Sequence, residues 1–411
     1  MSDLQATRWC SAGDSALDDG GEAAFEAASS ALAGPQRDRT GPLDPADARL
    51  AVVFASARHD LADVAAGLRR ALPQHVQVVG CTTSGEIFDG ASRSAGLALM
   101  LFGGDGFSIR TAAATGLDAD SAGTGQQVAE ELYAGEAAPD AGIPDRDVVL
   151  LLSDGLAGDQ QAMVTGVYRV TGAAVPLVGG CAGDDLAMVA TYQLIGGPDG
   201  DRVLRDSVVG VRLRSDAPIG IGVRHGWRRV GIPLVVTGTE GATVLTLDDE
   251  PALDAYLRVL DAPPEAREDA AAFTRFALGH PLGIAGRSQD LVRFVTGGDF
   301  VTRTLKLVAP VPLGGMTWLM TGDVDSVLAA SEEACDLAME QLGGRPAKAV
   351  VAFDCIARRA ALGESTDAEV DRIHDRTDGA PVIGFYTYGE IARTRGMSGF
   401  HNQTLVVLAV S

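Results

Sequence analysis

A six-residue apolar run recurs three times in this chain, as AVVFAS at 51–56, VVLLLS at 148–153 and AVVAFD at 349–354, each ending in a polar residue. Runs this short and continuous read as strands buried on both faces. Apolar residues at helical spacing follow each run: Leu61, Val64 and Leu68, then Met163, Val164 and Val167, then Val370 and Ile373. A second apolar run comes next, at 76–79, 175–178 and 381–383. It leads into a glycine-rich corner, GCTTSGEI from Gly80, GGCAGDD from Gly179 and GFYTYGEI from Gly384. Strand-like runs at 97–102, 208–213 and 404–410 close the copies, and helix-forming stretches at 15–32, 122–132 and 324–342 precede them.

Strands alternating with helices in this way predict an α/β fold of repeated strand-helix-strand units with mixed sheets and right-handed crossovers. The copies are expected at 7–104, 107–214 and 301–411, with a non-repeating insert at 215–300. Within the insert, Asp249-Glu250-Pro251 offers an acidic N-cap and a first-turn proline to a helix whose apolar face is Leu253, Tyr256, Leu257 and Leu260. Asp216-Ala217-Pro218 breaks the preceding strand, which places a division between an N-terminal domain, 1–214, and a C-terminal domain, 215–411. The two domains arise from internal repetition.

The 55 acidic residues against 33 basic ones give a net charge of -22, which repels nucleic-acid phosphates and anionic lipid. Neither nucleic acid nor a membrane is an expected partner. No apolar stretch approaches the roughly 18 residues of a membrane span, and Met1-Ser2-Asp3-Leu4 lacks the order of a secretory signal. Five scattered cysteines without a C-x-x-C pair read as reduced thiols, so a cytoplasmic location is expected.

In α/β sheets, ligands gather at the carboxyl ends of strands, which is where the three corners lie. Gly80, Gly85, Gly180 and Gly389 could bring backbone N–H groups to an anion, while Glu86, Asp184, Asp185 and Glu390 supply carboxylates. Such a set suits a zwitterionic amino acid, with carboxylates facing its ammonium and Arg358 its carboxyl. Ser84, Tyr386 and Tyr388 complete the candidate pocket walls, and Cys81, Cys181 and Cys355 lie at the same strand ends. The same residues also suit plain turns, caps and core packing. A thiol nucleophile would need His401 or His225 as its base, and those two histidines are also the candidate axial ligands for a non-covalent haem. The chain has no H-E-x-x-H, P-loop, G-x-S-x-G or C-x-x-C-H motif.

The corner sequences, together with TGTEGATVLTLDDEPALDAYLRVL, HPLGI from His280, FDCIARRAALGE from Phe353 and the closing FHNQTLVVLAV, resemble the FIST proteins through both their N-terminal and C-terminal domains. The resemblance implies a sensory module that binds a small ligand such as an amino acid and does not catalyse. It also implies, for some members, a haem-binding nitric oxide sensor. The signal is then expected to reach a separate protein of histidine kinase, cyclase or chemoreceptor type, through a ligand-dependent rearrangement of the two domains.

Overall fold

In the computed structural model, which describes residues 8–34, 43–135, 146–286, 290–394 and 399–411, the recurrence in sequence becomes a recurrence in space. The first unit runs β1 (Arg8–Ser15), α1 (Gly20–Ala33), β2 (Ala48–Ser56), α2 (Leu61–Ala71) and β3 (Gln77–Thr83). A short hairpin of β4 (Glu86–Phe88) and β5 (Ala91–Arg93) follows, then β6 (Leu97–Gly104). The second unit repeats this order as β7 (Phe107–Thr115), α3 (Leu117–Leu132), β8 (Asp147–Ser153), α4 (Gln160–Thr171) and β9 (Leu177–Cys181). Its hairpin is β10 (Gln193–Gly197) with β11 (Gly200–Leu204), and β12 (Ser207–Ser215) ends it.

The third unit opens with β13 (Ile219–Arg224) and is then interrupted. The insert comprises β14 (Arg228–Glu240), β15 (Thr243–Leu247), β16 (Glu250–Pro251), α5 (Ala252–Val259), α6 (Pro264–Glu268) and α7 (Ala270–Leu278). It continues through β17 (Leu282–Ile284), β18 (Leu291–Arg293), β19 (Val295–Asp299), β20 (Thr304–Leu307) and β21 (Met316–Thr321). The unit resumes with α8 (Val324–Glu340), β22 (Ala349–Cys355), α9 (Ile356–Leu362), α10 (Thr366–Asp375) and β23 (Val382–Thr387). It ends with the hairpin β24 (Glu390–Arg393) and β25 (Phe400–His401), then β26 (Leu405–Val410).

Each unit builds a sheet around one parallel pair, β2 with β3, β8 with β9, or β22 with β23, joined by a helical crossover. The hairpin of each unit, however, leaves home. β10 pairs with β3, β24 pairs with β9, and β4 pairs with β23, so every sheet is completed by the hairpin of another unit. The orders β1-β6-β2-β3-β10-β11, β7-β12-β8-β9-β24-β25 and β13-β26-β22-β23-β4-β5 therefore close a three-membered ring. Inner faces of the three sheets share one core, in which the Phe54 and Phe385 rings lie 4.6 Å apart and Phe353 packs beside both. Helices cover the outer faces through separate apolar layers, with Ala27 and Leu68 over the first sheet, Val128 and Val164 over the second, and Ala334 and Ile373 over the third.

Two expectations change here. The third copy starts at Ile219 and not at 301, so the insert lies inside that unit and not before it. Glycine hides β13 from a propensity reading. A Cβ on Gly222 would sit 1.7 Å from the Ala334 carbonyl oxygen, so the strand lacks side chains there because α8 lies directly on it. At α5, Leu253, Tyr256 and Leu257 are buried as expected, but Pro251 occupies the N-cap position and no side chain caps the helix. The insert has its own core around Tyr256 and Phe273. Its sheet runs β18-β17-β21-β14-β15-β20-β19, beginning and ending on consecutive stretches of chain, so it curls back on itself. Among the described residues no helix is long and apolar enough to cross a membrane.

The hairpin exchange ties the halves together: β4–β5 of the first unit belongs to the third sheet and β24–β25 of the third to the second. A rearrangement of residues 1–214 against the rest would break two strand ladders. Residues 1–214 expressed alone are expected not to fold as a cooperative monomer, because β9 loses its partner and the β4–β5 hairpin has no sheet to join. A sharp thermal transition with dispersed amide resonances for that fragment would contradict the exchange.

Candidate functional site

The three corners meet at one place, the first and third because they run directly into the hairpins that begin at Glu86 and Glu390. Ser84 N–H donates to the Tyr386 carbonyl at 3.1 Å and Tyr386 N–H to Gly85 O at 2.9 Å, which joins the first corner to the third unit. Tyr388 N–H donates to Cys181 O at 3.1 Å and Cys181 N–H to Gly389 O at 2.8 Å, joining the third to the second. Gly183 N–H donates to Thr82 O at 3.0 Å and closes the circle. Ser84, Gly183 and Tyr388 hold the same position in the three copies, and Tyr388 reaches across to bond the Asp184 carboxylate.

Most of the corner polarity is spent within the protein. Asp184 accepts N–H groups from Met188, Val189 and Ala190 at 3.0, 2.6 and 3.0 Å and so shapes the loop after the second corner. Burial works against its charge, yet the Tyr388 hydroxyl and these donors hold its carboxyl below the usual range. Leu186 N–H donates to the Tyr388 hydroxyl at 2.7 Å, and Asp185 N–H to Ser84 Oγ at 3.1 Å, while the Asp185 side chain stays exposed. Gly85 and Gly389 N–H groups go to Thr83 and Thr387 hydroxyls, so they are not offered to an anion. Gly85, at φ +116°, is required by shape: a Cβ would meet Arg359 Nη1 at 2.7 Å. Gly80 and Gly180 are buried strand residues, and a Cβ on Gly180 would strike Thr387 Cγ2 at 2.6 Å.

Glu86 and Glu390 are fully buried at matching positions, each bonded by the threonine three residues earlier. Burial pushes both carboxyls up to about 8. They are therefore largely protonated at neutral pH, and the expected pairing with a ligand ammonium is not what their surroundings favour. Arg358 is likewise fully buried. Its Nε reaches Asp354 at 2.9 Å, Nη2 pairs with Glu369 and meets Ser331 Oγ at 2.8 Å, and Nη1 holds the His225 carbonyl at 2.9 Å. Its donors serve the fold, so it offers no free edge to a ligand carboxyl.

The arginine at the corner is the next residue. Arg359 is half-buried, donates to Ser84 O and to Ser94 Oγ at 2.8 Å each, and lies 4.8 Å from the centre of the buried Tyr386 ring. One residue along a helix turns the side chain by about 100°. The Arg358-Arg359 doublet in the sequence marked this pair, but only the placement of α9 decides which member faces inward.

All five cysteines are buried. Burial, with nearby carboxyls, raises the Cys81, Cys181 and Cys355 thiols, which opposes thiolate chemistry. His401 is buried with Nε2 donating to Ala392 O at 3.0 Å, and His225 Nδ1 accepts the Trp227 N–H at 3.0 Å. Burial pushes both imidazoles down to about 4. One ring nitrogen of each histidine is thus committed to the backbone, and ligation through that nitrogen would break the bond. Among the described residues no cluster of three or more His, Cys, Asp or Glu side chains could hold a metal.

The insert closes over one side of this assembly. Ala309 packs with Phe400, Cys181 and Tyr388, and Gln403, just beyond β25, accepts from Trp227 Nε1 at 2.9 Å through its carbonyl and donates to Leu278 O at 2.7 Å. Arg359, Ser94, Asp185 and Tyr388 keep some accessible surface at the rim, and Leu186, Met188 and Val189 stand exposed on the loop after the second corner.

Two carboxyls raised on folding have a pH consequence of definite sign. The folded state keeps protons that the unfolded chain releases above the ordinary value of 4.5, so this stabilisation is full below 4.5 and is lost as pH climbs through about 8. Denaturant titrations should show unfolding free energy falling between those limits, with a flatter profile for Glu86→Gln with Glu390→Gln. An unchanged slope in the double variant would show that neither carboxyl is perturbed.

Comparison with known proteins now adds to this geometry. Residues 49–250 match the FIST N domain and residues 252–393 the FIST C domain. Two uncharacterized proteins of Mycobacterium tuberculosis are 27% and 25% identical over 205 residues, covering 49% of this chain and 53% of each relative. An uncharacterized protein of Methanocaldococcus jannaschii is 26% identical over 267 residues, 61% of this chain and 48% of its own. The chain thus spans about half the length of the curated relatives it matches. The crystal structure of a cyanuric acid hydrolase from A. caulinodans overlaps 52% of this chain and 72% of its own at 12% identity, with a TM-score of 0.27, too loose to carry an argument about fold or activity. With its two domain matches in succession over most of its length, the chain belongs to the FIST family, a family of sensory signal-transduction modules.

Proposed function

We propose that this protein is a cytoplasmic sensory module that binds a small amino-acid-like metabolite where the insert meets the corners of the second and third units, and that it signals by contact to a separate output protein. A histidine kinase, a cyclase or a chemoreceptor is the class of partner that the family membership suggests. The observation that carries the reading is the convergence of three corners, with the insert lying against the second and third of them. Scaffold strands hold these loops in place, which suits a binding site.

Buried thiols and low-pKa imidazoles supply no activated nucleophile, which favours binding over turnover. Ligand-driven motion then falls to the insert, which joins the ring through the short connections before β14 and after β21. The His225 carbonyl held by Arg358 stands at the first of these connections. A ligand contacting both insert and corner would shift their equilibrium by its difference in affinity for the two arrangements.

The test is calorimetry and thermal melting of the purified protein against the twenty amino acids and related metabolites. A ligand at about 100 times its dissociation constant should stabilise the fold by roughly 2.7 kcal/mol. Tyr388→Phe, which removes the hydroxyl between Asp184 and the Leu186 N–H, should weaken binding of that ligand while the protein stays folded. No stabilisation across the whole panel would count against the metabolite reading.

A further inference from the structure

Among the described residues a buried cation lacks what its burial demands. Arg293, on β18, is 2% exposed. Its Nη1 donates to Phe400 O at 3.0 Å and to Val292 O at 3.2 Å, and its Nε to Pro310 O at 3.4 Å. All three acceptors are backbone carbonyls, and among the described residues Arg293 makes no ion pair and its Nη2 makes no hydrogen bond.

The carboxylates nearby are engaged elsewhere. Asp290, three residues before it, is held bidentately by Arg229, with both contacts at 2.6 Å. Asp159 caps α4 by accepting the Ala162 N–H at 2.9 Å and acts on Arg293 only through space. Burial pushes the guanidinium down, but only to about 10, so it stays charged at neutral pH. A buried charge with no counter-ion is costly, and chains that keep one usually pair it with something. Arg358 shows how this fold treats a buried arginine that serves structure, with two carboxylates on it.

The position of Arg293 matters as much as its charge. It grips the backbone of Phe400, whose ring packs against Cys181, Ala309 and Tyr388 where the insert meets the corners. We propose that Arg293 receives the carboxylate of a small organic acid at this junction. The inference rests on the ligand reading above and names the residue that fixes one end of the ligand. A planar guanidinium edge matches a carboxylate in shape, and a single cation beside apolar Phe400 and Ala309 suits a monoanion better than a phosphate dianion. The same contact links ligand to signal, since the guanidinium already joins insert to ring.

The experiment is calorimetry at matched ionic strength with acetate, pyruvate, the twenty amino acids and inorganic phosphate. It uses wild type, Arg293→Lys and Arg293→Met. At least one carboxylate is expected to bind wild type saturably, about tenfold or more weakly to the lysine variant, which keeps the charge but loses the fork, and not to the methionine variant. The unliganded methionine variant should melt no lower than wild type, because it no longer buries an uncompensated charge. If that variant does not fold, Arg293→Lys carries the test alone. Equal binding to wild type and the folded variants overturns the assignment and leaves the metabolite reading intact. Phosphate binding as tightly as any carboxylate overturns the chemical class. If no carboxylate or amino acid binds wild type, both the assignment and the metabolite reading fall.

Discussion

The strand ladders between each hairpin and a sheet built by another unit are the interaction on which the remainder depends. Without them β3, β9 and β23 would each present a row of unpaired backbone donors and acceptors, a cost that no isolated unit can meet. Because Glu86 and Glu390 begin their hairpins directly after their corners, the pairing that completes a sheet also carries a corner to its neighbour. Ring closure and corner convergence are one geometric fact. The fold and the meeting of the corners follow from it together.

Two arrangements account for the buried carboxyls around the corners and the third sheet. Asp354, Arg358, Glu369 and Ser331 form an ion-paired cluster that pins α8, α9 and α10 to β22 and holds the His225 carbonyl at the entry to the insert. Glu86 and Glu390 are held by threonines, and burial pushes their carboxyls up to about 8. Arg293 belongs to neither arrangement, since it is charged and enclosed while bonded only to carbonyls. That contrast within one fold is what separates a packing device from a receptor for something outside the chain.

The continuous apolar runs named the central strands, and the period of 3.6 named most of the helices, because burial on both faces or on one stripe leaves a direct trace in residue order. The corners were legible as recurring glycine motifs, but their chemistry was not. Whether Gly85 offers its N–H outward depends on Thr83 Oγ1, and whether Arg358 or Arg359 faces the corner depends on how α9 is rotated. Strands as short as β4, β5 and β25 carry no mark of the sheet they join, since two or three residues cannot specify a partner hundreds of positions away. β13 escaped for the opposite reason, having given up side chains at Gly220 and Gly222 to admit α8. Arg293 is a lone arginine in an unremarkable stretch, and only its enclosure distinguishes it.

The exchanged hairpins also set a timetable for synthesis. β4 pairs with β23 in a register that joins Glu86 to Phe385, and β9 waits for β24, so neither ladder can form until the ribosome has passed the residues of β23 and β24, roughly 200 to 300 positions later. Contacts of such sequence separation are closed late, after most of the loop entropy has been lost, and slow the final assembly. Until then the β9 edge and the first hairpin stand open to any other extended chain. Nascent copies of this protein therefore pass through a long interval in which pairing with a neighbour on the same message competes with pairing at home.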